Sequence, residues 1–181
     1  MGIKDLFSSK MTYVKQPEKA ISSFLPLEKS RGIQPPVQYN LKDRGVEVSD
    51  SDIEAFRPLL YGEVSNRTPD KQALEANVIL NTALNRVKAY GERGQKKTLS
   101  DVLAMPNQYQ AYGGPQYKAY SAPPDSIALT KRQQVDDIVN AIHEQIKAGR
   151  YEDNTQGAYY YVHDPKTGAI TYDNIRPLFK K

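Results

Sequence analysis

Glu63, which follows the run Leu59-Leu60-Tyr61-Gly62, is a candidate acid catalyst. A single carboxyl can serve as a general acid and then as a base if it is protonated when the reaction begins. The position falls near a predicted helix C-terminus, where the helix dipole and the apolar neighbours favour a protonated carboxyl. Taken alone, the segment is also typical of a surface glutamate beside a glycine that ends a helix.

Side chains of a long loop supply a candidate binding surface. Residues 105–124 contain four tyrosines among prolines and glycines, and such a long structureless stretch inside a compact domain is usually functional or mobile. Within it, Gln108, Tyr109 and Tyr112 combine hydrogen-bonding groups with flat apolar rings, which suits the acetamido groups and ring faces of a sugar. Packing within the loop is the alternative.

A second group of tyrosines lies on a predicted β-hairpin near the C-terminus. The run Ala158-Tyr159-Tyr160-Tyr161-Val162 predicts a strand, and a turn and a returning strand follow up to Tyr172. Since successive strand residues point to opposite sides, one of Tyr160 and Tyr161 faces the substrate, and Tyr160 is preferred. His163 precedes the turn and makes either a structural contact there or a contact in the cleft.

Capping signals predict the helices that position these residues. Ser51-Asp52-Ile53-Glu54 is a capping box that opens a helix running to Tyr61 or Ser65. Thr68-Pro69-Asp70 opens a longer helix that Gly91 ends. Apolar residues surround most of this second helix, so we expect it to be the buried spine of the domain.

Two further helices complete a mainly helical (α+β) architecture. A short helix is expected at 98–103, and a longer one opens at the capping box Thr130-Lys131-Arg132-Gln133 and stops at Gly149. Asn77 and Asn81 are polar positions on the buried spine and need partners. They either orient the Glu63 region or lie at a solvated edge.

The first 47 residues differ from the rest, because prolines interrupt each short apolar cluster before a helix can propagate. A short amphipathic helix is expected at 2–11, and the remainder of 1–47 is expected to form an extended N-terminal arm. The arm is either a disordered tail or a segment that packs on its own domain or on a partner. The predicted folded domain spans residues 48–181.

The composition excludes several kinds of site. The 181 residues include no cysteine and two histidines in different predicted elements, so neither a metal site nor another cofactor is expected. No apolar run is long enough for a membrane helix, and the N-terminus lacks the apolar core of a secretory signal. The net charge of +4 is spread along the chain without a clustered basic face, so no nucleic-acid partner is expected.

Four groups of residues, in chain order, resemble SleB-like cell-wall hydrolases. In that family a Tyr/Gly-Glu segment ends one helix and a helix reading A-V-A-x-V-I-L-N-R-V follows. Segments of the type V-I-x-x-P-x-Q-F and G-A-L-Y-Y-F-N-P come later in the chain. The matching residues here are Leu59 to Asn66, Ala76 to Asn81 with Asn85-Arg86-Val87, Asp101 to Leu103 with Pro106 to Tyr109, and Gly157 to Pro165.

The resemblance implies a lysozyme-like helical fold and cleavage of the β-1,4 bond between N-acetylmuramic acid and N-acetylglucosamine in peptidoglycan. The catalytic glutamate of the family corresponds to Glu63. Some members are lytic transglycosylases, in which one carboxyl is acid and then base while the muramyl 6-hydroxyl closes a 1,6-anhydro ring. This chain departs from the pattern in having no Trp, and Tyr109 stands where the family has Phe.

The expected place of action is the cell wall, outside the cytoplasm. Without a secretory signal, the protein is expected to be carried on a phage virion or released by lysis, as an endolysin is. The alternative is a non-catalytic virion protein with a degenerate lysozyme-like fold, in which residues 1–47 bind other virion proteins. Substitution of Glu63 separates the two, because a purely structural protein tolerates its loss.

Overall fold

Five helices and a two-stranded sheet make up the part of the chain that this computed structural model describes, which is residues 41, 45–64, 66–106, 108–155, 157–163 and 170–173. All of these lie in the compact unit Gln34–Lys181. The helix expected at 2–11, most of the arm and the turn before the returning strand lie outside the described residues. The elements are α1 (Asp50–Val64), α2 (Pro69–Glu92), α3 (Leu99–Leu103), α4 (Pro115–Ala119), α5 (Ser126–Lys147), β1 (Tyr160–His163) and β2 (Ile170–Asp173).

Helix α2 is the spine of the domain, as the sequence predicted. It contacts α1, α3, α5 and β1, and its side chains are buried on most sides between Ala76 and Val87. Upstream of α1, Leu41 and Val46 are buried in the same core, and the Val46 N–H donates to Leu41 O at 3.0 Å. The architecture is mainly helical. No described helix combines enough length and apolar character to span a membrane.

Helix α1 begins two residues earlier than predicted, because Ser49 and Asp52 form its capping box. The Asp52 N–H donates to Ser49 Oγ at 3.2 Å, and the Ser49 N–H donates back to Asp52 Oδ2 at 2.9 Å. Glu54, the acid expected to close a box with Ser51, is exposed and pairs with Arg57 at 3.0 Å. The prediction of a box at 51–54 was wrong. Asp52 also accepts hydrogen bonds from Ser100 of α3, and these contacts hold it where it pairs with Ser49.

Asp52 joins α1 to α3 through its carboxylate. Oδ1 accepts from Ser100 N–H at 2.8 Å and from Ser100 Oγ at 2.7 Å, while Oδ2 accepts from the N–H and hydroxyl of Ser49. The residue is 4% exposed. Burial opposes ionisation, but the hydrogen bonds from Ser49 and Ser100 outweigh it and lower the pKa of Asp52. One buried carboxylate therefore holds two helix N-termini together.

We expect Asp52→Asn to lower the free energy of unfolding by about 2 kcal/mol at neutral pH, because one acceptor oxygen becomes a donor that faces other donors. Since the folded-state pKa is lowered, this stabilisation is present above the unfolded pKa of about 3.9 and is lost as the pH falls below it. Urea unfolding of both proteins across this pH range is the measurement. A difference that does not shrink in acid contradicts the prediction.

The control for that experiment is Asp101→Asn. Asp101 accepts the Thr98 N–H at 2.9 Å and thus caps α3 alone, at an exposed position. Its substitution is expected to cost less than that of Asp52, because it leaves the contact between α1 and α3 in place.

The boundaries of α2 and α3 follow the sequence closely. Thr68 is the N-cap of α2 with Pro69 at the first position, as predicted, although the helix passes Gly91 and ends at Glu92. Helix α3 starts after Thr98, which makes the reciprocal capping box with Asp101. The Thr98 cap is satisfied by a residue three positions along the chain, whereas the Thr68 side chain makes no capping hydrogen bond and Pro69 marks the start of α2.

Helix α5 begins earlier than the predicted box at Thr130. The Asp125 side chain accepts the Ala128 N–H at 2.7 Å and caps the helix. The Thr130 hydroxyl instead donates to Ser126 O at 3.0 Å inside the helix. The predicted stop at Gly149 is confirmed, since Gly149 has a φ of 66° that favours glycine after a helix end.

The predicted C-terminal hairpin is present as an antiparallel pair of strands. Tyr160 lies opposite Asp173, and Tyr161 lies opposite Tyr172. The first strand starts two residues later than Ala158, because the carbonyl of Ala158 accepts from Asn85 at 3.0 Å instead of joining the sheet. This contact anchors the start of the hairpin on α2.

Candidate active site

Glu63 is the second-to-last residue of α1 and is half-buried. Its Oε1 accepts a hydrogen bond from the backbone N–H of Ala111 at 3.0 Å. No other described residue donates a hydrogen bond to this carboxylate. The amide of Ala111 therefore fixes one oxygen of Glu63 and leaves the other for a further partner.

The segment that carries Ala111 contains a helix, which corrects the prediction of a structureless loop at 105–124. Helix α4 lies within it and packs against α1. The rings of Tyr61 in α1 and Tyr120 after α4 meet edge to face with centroids 5.7 Å apart. The Tyr120 hydroxyl also donates to Asp136 Oδ1 of α5 at 2.6 Å. The segment is thus fastened to both α1 and α5.

Gly62 allows this segment to approach α1 beside Glu63. A Cβ atom added at Gly62 would lie 2.7 Å from Ala111 Cβ and 3.3 Å from Tyr117 N. Both distances are shorter than ordinary van der Waals contacts, so any side chain at this position must displace the segment. Glycine is needed here for close packing.

We expect Gly62→Ala to lower the free energy of unfolding by about 1–3 kcal/mol and to disturb the Ala111–Glu63 hydrogen bond. Gly91→Ala is the matched control, because Gly91 is also helical and its added Cβ meets nothing within 4 Å. That change is expected to be neutral or to stabilise by up to about 1 kcal/mol. Urea unfolding compares the two. Equal stabilities for the two variants contradict the assigned contact.

Arg86 of α2 connects the segment to the hairpin. Its Nε donates to Tyr159 O at 2.7 Å and its Nη1 donates to Gln108 Oε1 at 2.7 Å. The guanidinium carbon lies 4.7 Å from the ring centroid of Tyr160 and 5.7 Å from that of Tyr109. Arg86 is 3% exposed, and no carboxylate of the described residues lies within ion-pair distance of it. It is a buried cation held by oxygens and aromatic faces.

Tyr109 is buried in the core, and Tyr161 is partly buried and packs against that core. Burial raises the pKa of Tyr109, with the Arg86 guanidinium opposing and the Glu63 charge adding to the shift. Burial also raises the pKa of Tyr161, and the charges of Tyr109 and Glu63 add to it. Thr82 lies beside the Tyr109 hydroxyl without a hydrogen bond of good geometry. Both phenols therefore lie within electrostatic range of the candidate acid.

Glu75 is a second carboxylate in this region. It is 8% exposed, and Arg67 Nε lies 3.4 Å from its Oε1. Its charge contributes to the raised pKa of Tyr161, as that of Glu63 does. Tyr161 thus interacts with two acids, of which Glu75 is already engaged by a cation.

The structure brings most of the predicted site residues together. Gln108, Tyr109 and Tyr160 all contact Arg86, and Tyr161 packs against the core. Tyr112 is 42% exposed and instead lies against Tyr117 of α4, with centroids 5.1 Å apart. The backbone of His163 ends β1, and its side chain lies outside the described part of the molecule.

Of the two asparagines predicted to need partners, Asn81 binds the segment before the hairpin and Asn77 binds its own helix. Asn77 donates to Ala73 O of its own helix at 2.9 Å. Asn81 is 2% exposed and donates to Glu152 O at 3.3 Å and to Asn154 Oδ1 at 3.1 Å. Asn81 therefore neither orients Glu63 nor lies at a solvated edge, which were the two roles predicted for this pair.

Arg86 and Glu75 were not predicted as site residues. Both are charged residues on a helix that is otherwise apolar on most sides, and this pattern could have indicated that they are buried and paired. Among the described residues, no group of three or more His, Asp and Glu side chains is arranged to hold a metal ion.

Comparisons with models of known protein families, with curated proteins and with solved structures return no match for this chain.

Proposed function

We propose that this protein cleaves peptidoglycan glycan strands at the β-1,4 bond between N-acetylmuramic acid and N-acetylglucosamine, with a lysozyme-like helical domain. The observation that carries the proposal is the position of Glu63. It is half-buried at the end of α1, and the Ala111 amide holds one of its oxygens. The resemblance of four groups of residues to SleB-like hydrolases supplies the substrate class.

The chemistry proposed for Glu63 is that of a lytic transglycosylase. The protonated carboxyl gives its proton to the bridging oxygen as the bond from that oxygen to the muramyl C1 breaks. The carboxylate then takes the proton of the muramyl 6-hydroxyl, whose oxygen bonds to C1 and closes a 1,6-anhydro ring. The proton taken from the 6-hydroxyl leaves Glu63 protonated again, and no water is consumed.

The Ala111 amide keeps the Glu63 side chain in place during both proton transfers, because it donates to Oε1 at 3.0 Å. The second acid of the region, Glu75, is engaged by Arg67, so Glu63 is the carboxylate available for proton transfer. The alternative reaction is hydrolysis of the muramidase type, in which water attacks C1 in place of the muramyl 6-hydroxyl.

The residues around Glu63 are proposed to bind the glycan. Gln108 offers an amide, and the partly exposed rings of Tyr160 and Tyr161 offer aromatic surface. Tyr109, which was also predicted to bind the sugar, is 7% exposed and is proposed to support this surface from the core. Tyr112 is proposed to lie at the outer edge of the binding surface, because its side chain is more exposed than those of Tyr109, Tyr160 and Tyr161. His163 remains a predicted contact, and no cofactor is required.

The proposed place of action is the cell wall, reached from a phage particle or after lysis. The alternative, a non-catalytic virion protein that binds its neighbours through residues 1–47, makes a different prediction for purified cell walls.

Mass spectrometry of sacculi treated with the protein tests the proposal. Fragments that end in 1,6-anhydromuramic acid support transglycosylation, whereas reducing muramyl ends support hydrolysis. Intact sacculi under conditions in which the protein is folded overturn the enzymatic proposal and support the virion alternative.

A further inference from the structure

The amide of Gln108 has only one possible orientation. An arginine side chain carries hydrogen-bond donors and no acceptor, so the atom of Gln108 that lies 2.7 Å from Arg86 Nη1 must be the oxygen. The Nε2 group, with two donors, consequently points away from Arg86. The usual ambiguity between the two ends of an amide side chain does not arise here.

Arg86 is itself held from several directions. The bond from Nε to Tyr159 O fixes one edge of the guanidinium, and the ring of Tyr160 covers it at 4.7 Å. At 3% exposure the side chain has little freedom to move. The position of the Gln108 amide is therefore imposed by a rigid group that spans α2 and the hairpin.

The Nε2 donors of Gln108 have no acceptor among the described residues. Gln108 is half-buried, and the next residue is Tyr109, whose phenol interacts with the Glu63 charge. Among the described residues, Gln108 Nε2 is not one of the fully buried polar atoms that lack a partner, so it is open to water or to a ligand acceptor. The acetamido groups of N-acetylated sugars carry carbonyl oxygens that accept such hydrogen bonds.

We propose that Arg86 is a positioning residue, which turns the Gln108 amide so that Nε2 donates to the acetamido carbonyl of a bound N-acetylated sugar. Arg86 touches no substrate in this arrangement and acts only through Gln108. The inference rests on the proposed function for the class of ligand, and it adds the residue that reads the N-acetyl group.

Gln108→Glu tests the inference, because it keeps the shape of the side chain and the contact with Arg86 while it removes both donors. The probe is the soluble tetramer of N-acetylglucosamine, with binding measured by calorimetry. We expect binding at least about 10-fold weaker than wild type, since a lost donor leaves the acetamido oxygen unpaired. Urea unfolding should show unchanged or higher stability, because the new carboxylate pairs with Arg86.

Gln110→Glu is the matched control, with the same change of charge at an exposed position two residues along the chain. It should bind the tetramer as the wild type does. Turnover of soluble glycan strands adds a second readout, in which Gln108→Glu raises KM more than it lowers kcat.

Three results would overturn the inference: a wild type that does not bind the tetramer, a Gln108→Glu variant that binds like wild type, or one that fails to fold. Failure of the proposed function has a different signature. In that case sacculi remain intact with the wild type, whatever residue stands at position 108.

Discussion

Glu63→Gln is expected to reduce the release of soluble fragments from purified peptidoglycan by about 10²–10⁴-fold, because glutamine cannot transfer a proton. Folding should be preserved. The glutamine oxygen can still accept the Ala111 N–H that Glu63 accepts at 3.0 Å. The measurement is the rate of fragment release, with urea unfolding of the same preparations as the check on the fold.

Glu54→Gln is the control for this experiment. Glu54 also belongs to α1, but its side chain is 69% exposed and pairs with Arg57 on the surface. Its substitution changes the net charge by the same amount and should leave the rate unchanged. If Glu63→Gln releases fragments as fast as the wild type, Glu63 is not the acid and the proposed mechanism is wrong.

Arg86→Lys and Arg86→Met are expected to lower the free energy of unfolding by about 3 kcal/mol each. Either change leaves Tyr159 O and Gln108 Oε1 without the donors that now lie 2.7 Å from each. Lysine keeps the charge but cannot direct two donors to both oxygens while its ammonium stays buried. Lysine should therefore be no better tolerated than methionine. Urea unfolding provides the comparison.

The informative result is the free energy of unfolding of each variant relative to the other and to wild type. A lysine variant as stable as wild type would mean that Arg86 contributes charge alone, and a methionine variant more stable than wild type would mean that its hydrogen bonds do not offset its burial. The same substitutions at Arg150, which is exposed, should change stability by no more than about 0.5 kcal/mol.

The helix caps show how far local signals reach. Thr98 and Asp101 satisfy each other within α3, and the sequence predicted that helix closely. Asp52 belongs to two helices, because Ser100 donates to one of its oxygens from 48 residues away. Ser49–Asp52 and Ser51–Glu54 both have the spacing of a capping box, and the sequence does not contain the contact with Ser100 that holds Asp52 in place.

The candidate site likewise combines features that the sequence indicates with contacts between distant residues. Residue types and spacing selected Glu63, Gln108, Tyr109 and Tyr160, since these are groups that transfer protons, donate hydrogen bonds or offer flat rings. Nothing in the sequence indicated that Arg86 would connect the last three. Its hydrogen-bond partners lie 22 and 73 residues along the chain.

By itself the sequence determined a mainly helical domain with a buried spine and a C-terminal hairpin, because capping and periodicity depend on neighbours a few residues apart. Only the tertiary structure decided that Ala111 covers Glu63, which it can do because Gly62 has no side chain to hold the segment away. It also decided that a buried cation orients Gln108. Such contacts depend on how distant segments meet, and hydrogen-bond geometry and close packing exist only once those segments are folded together.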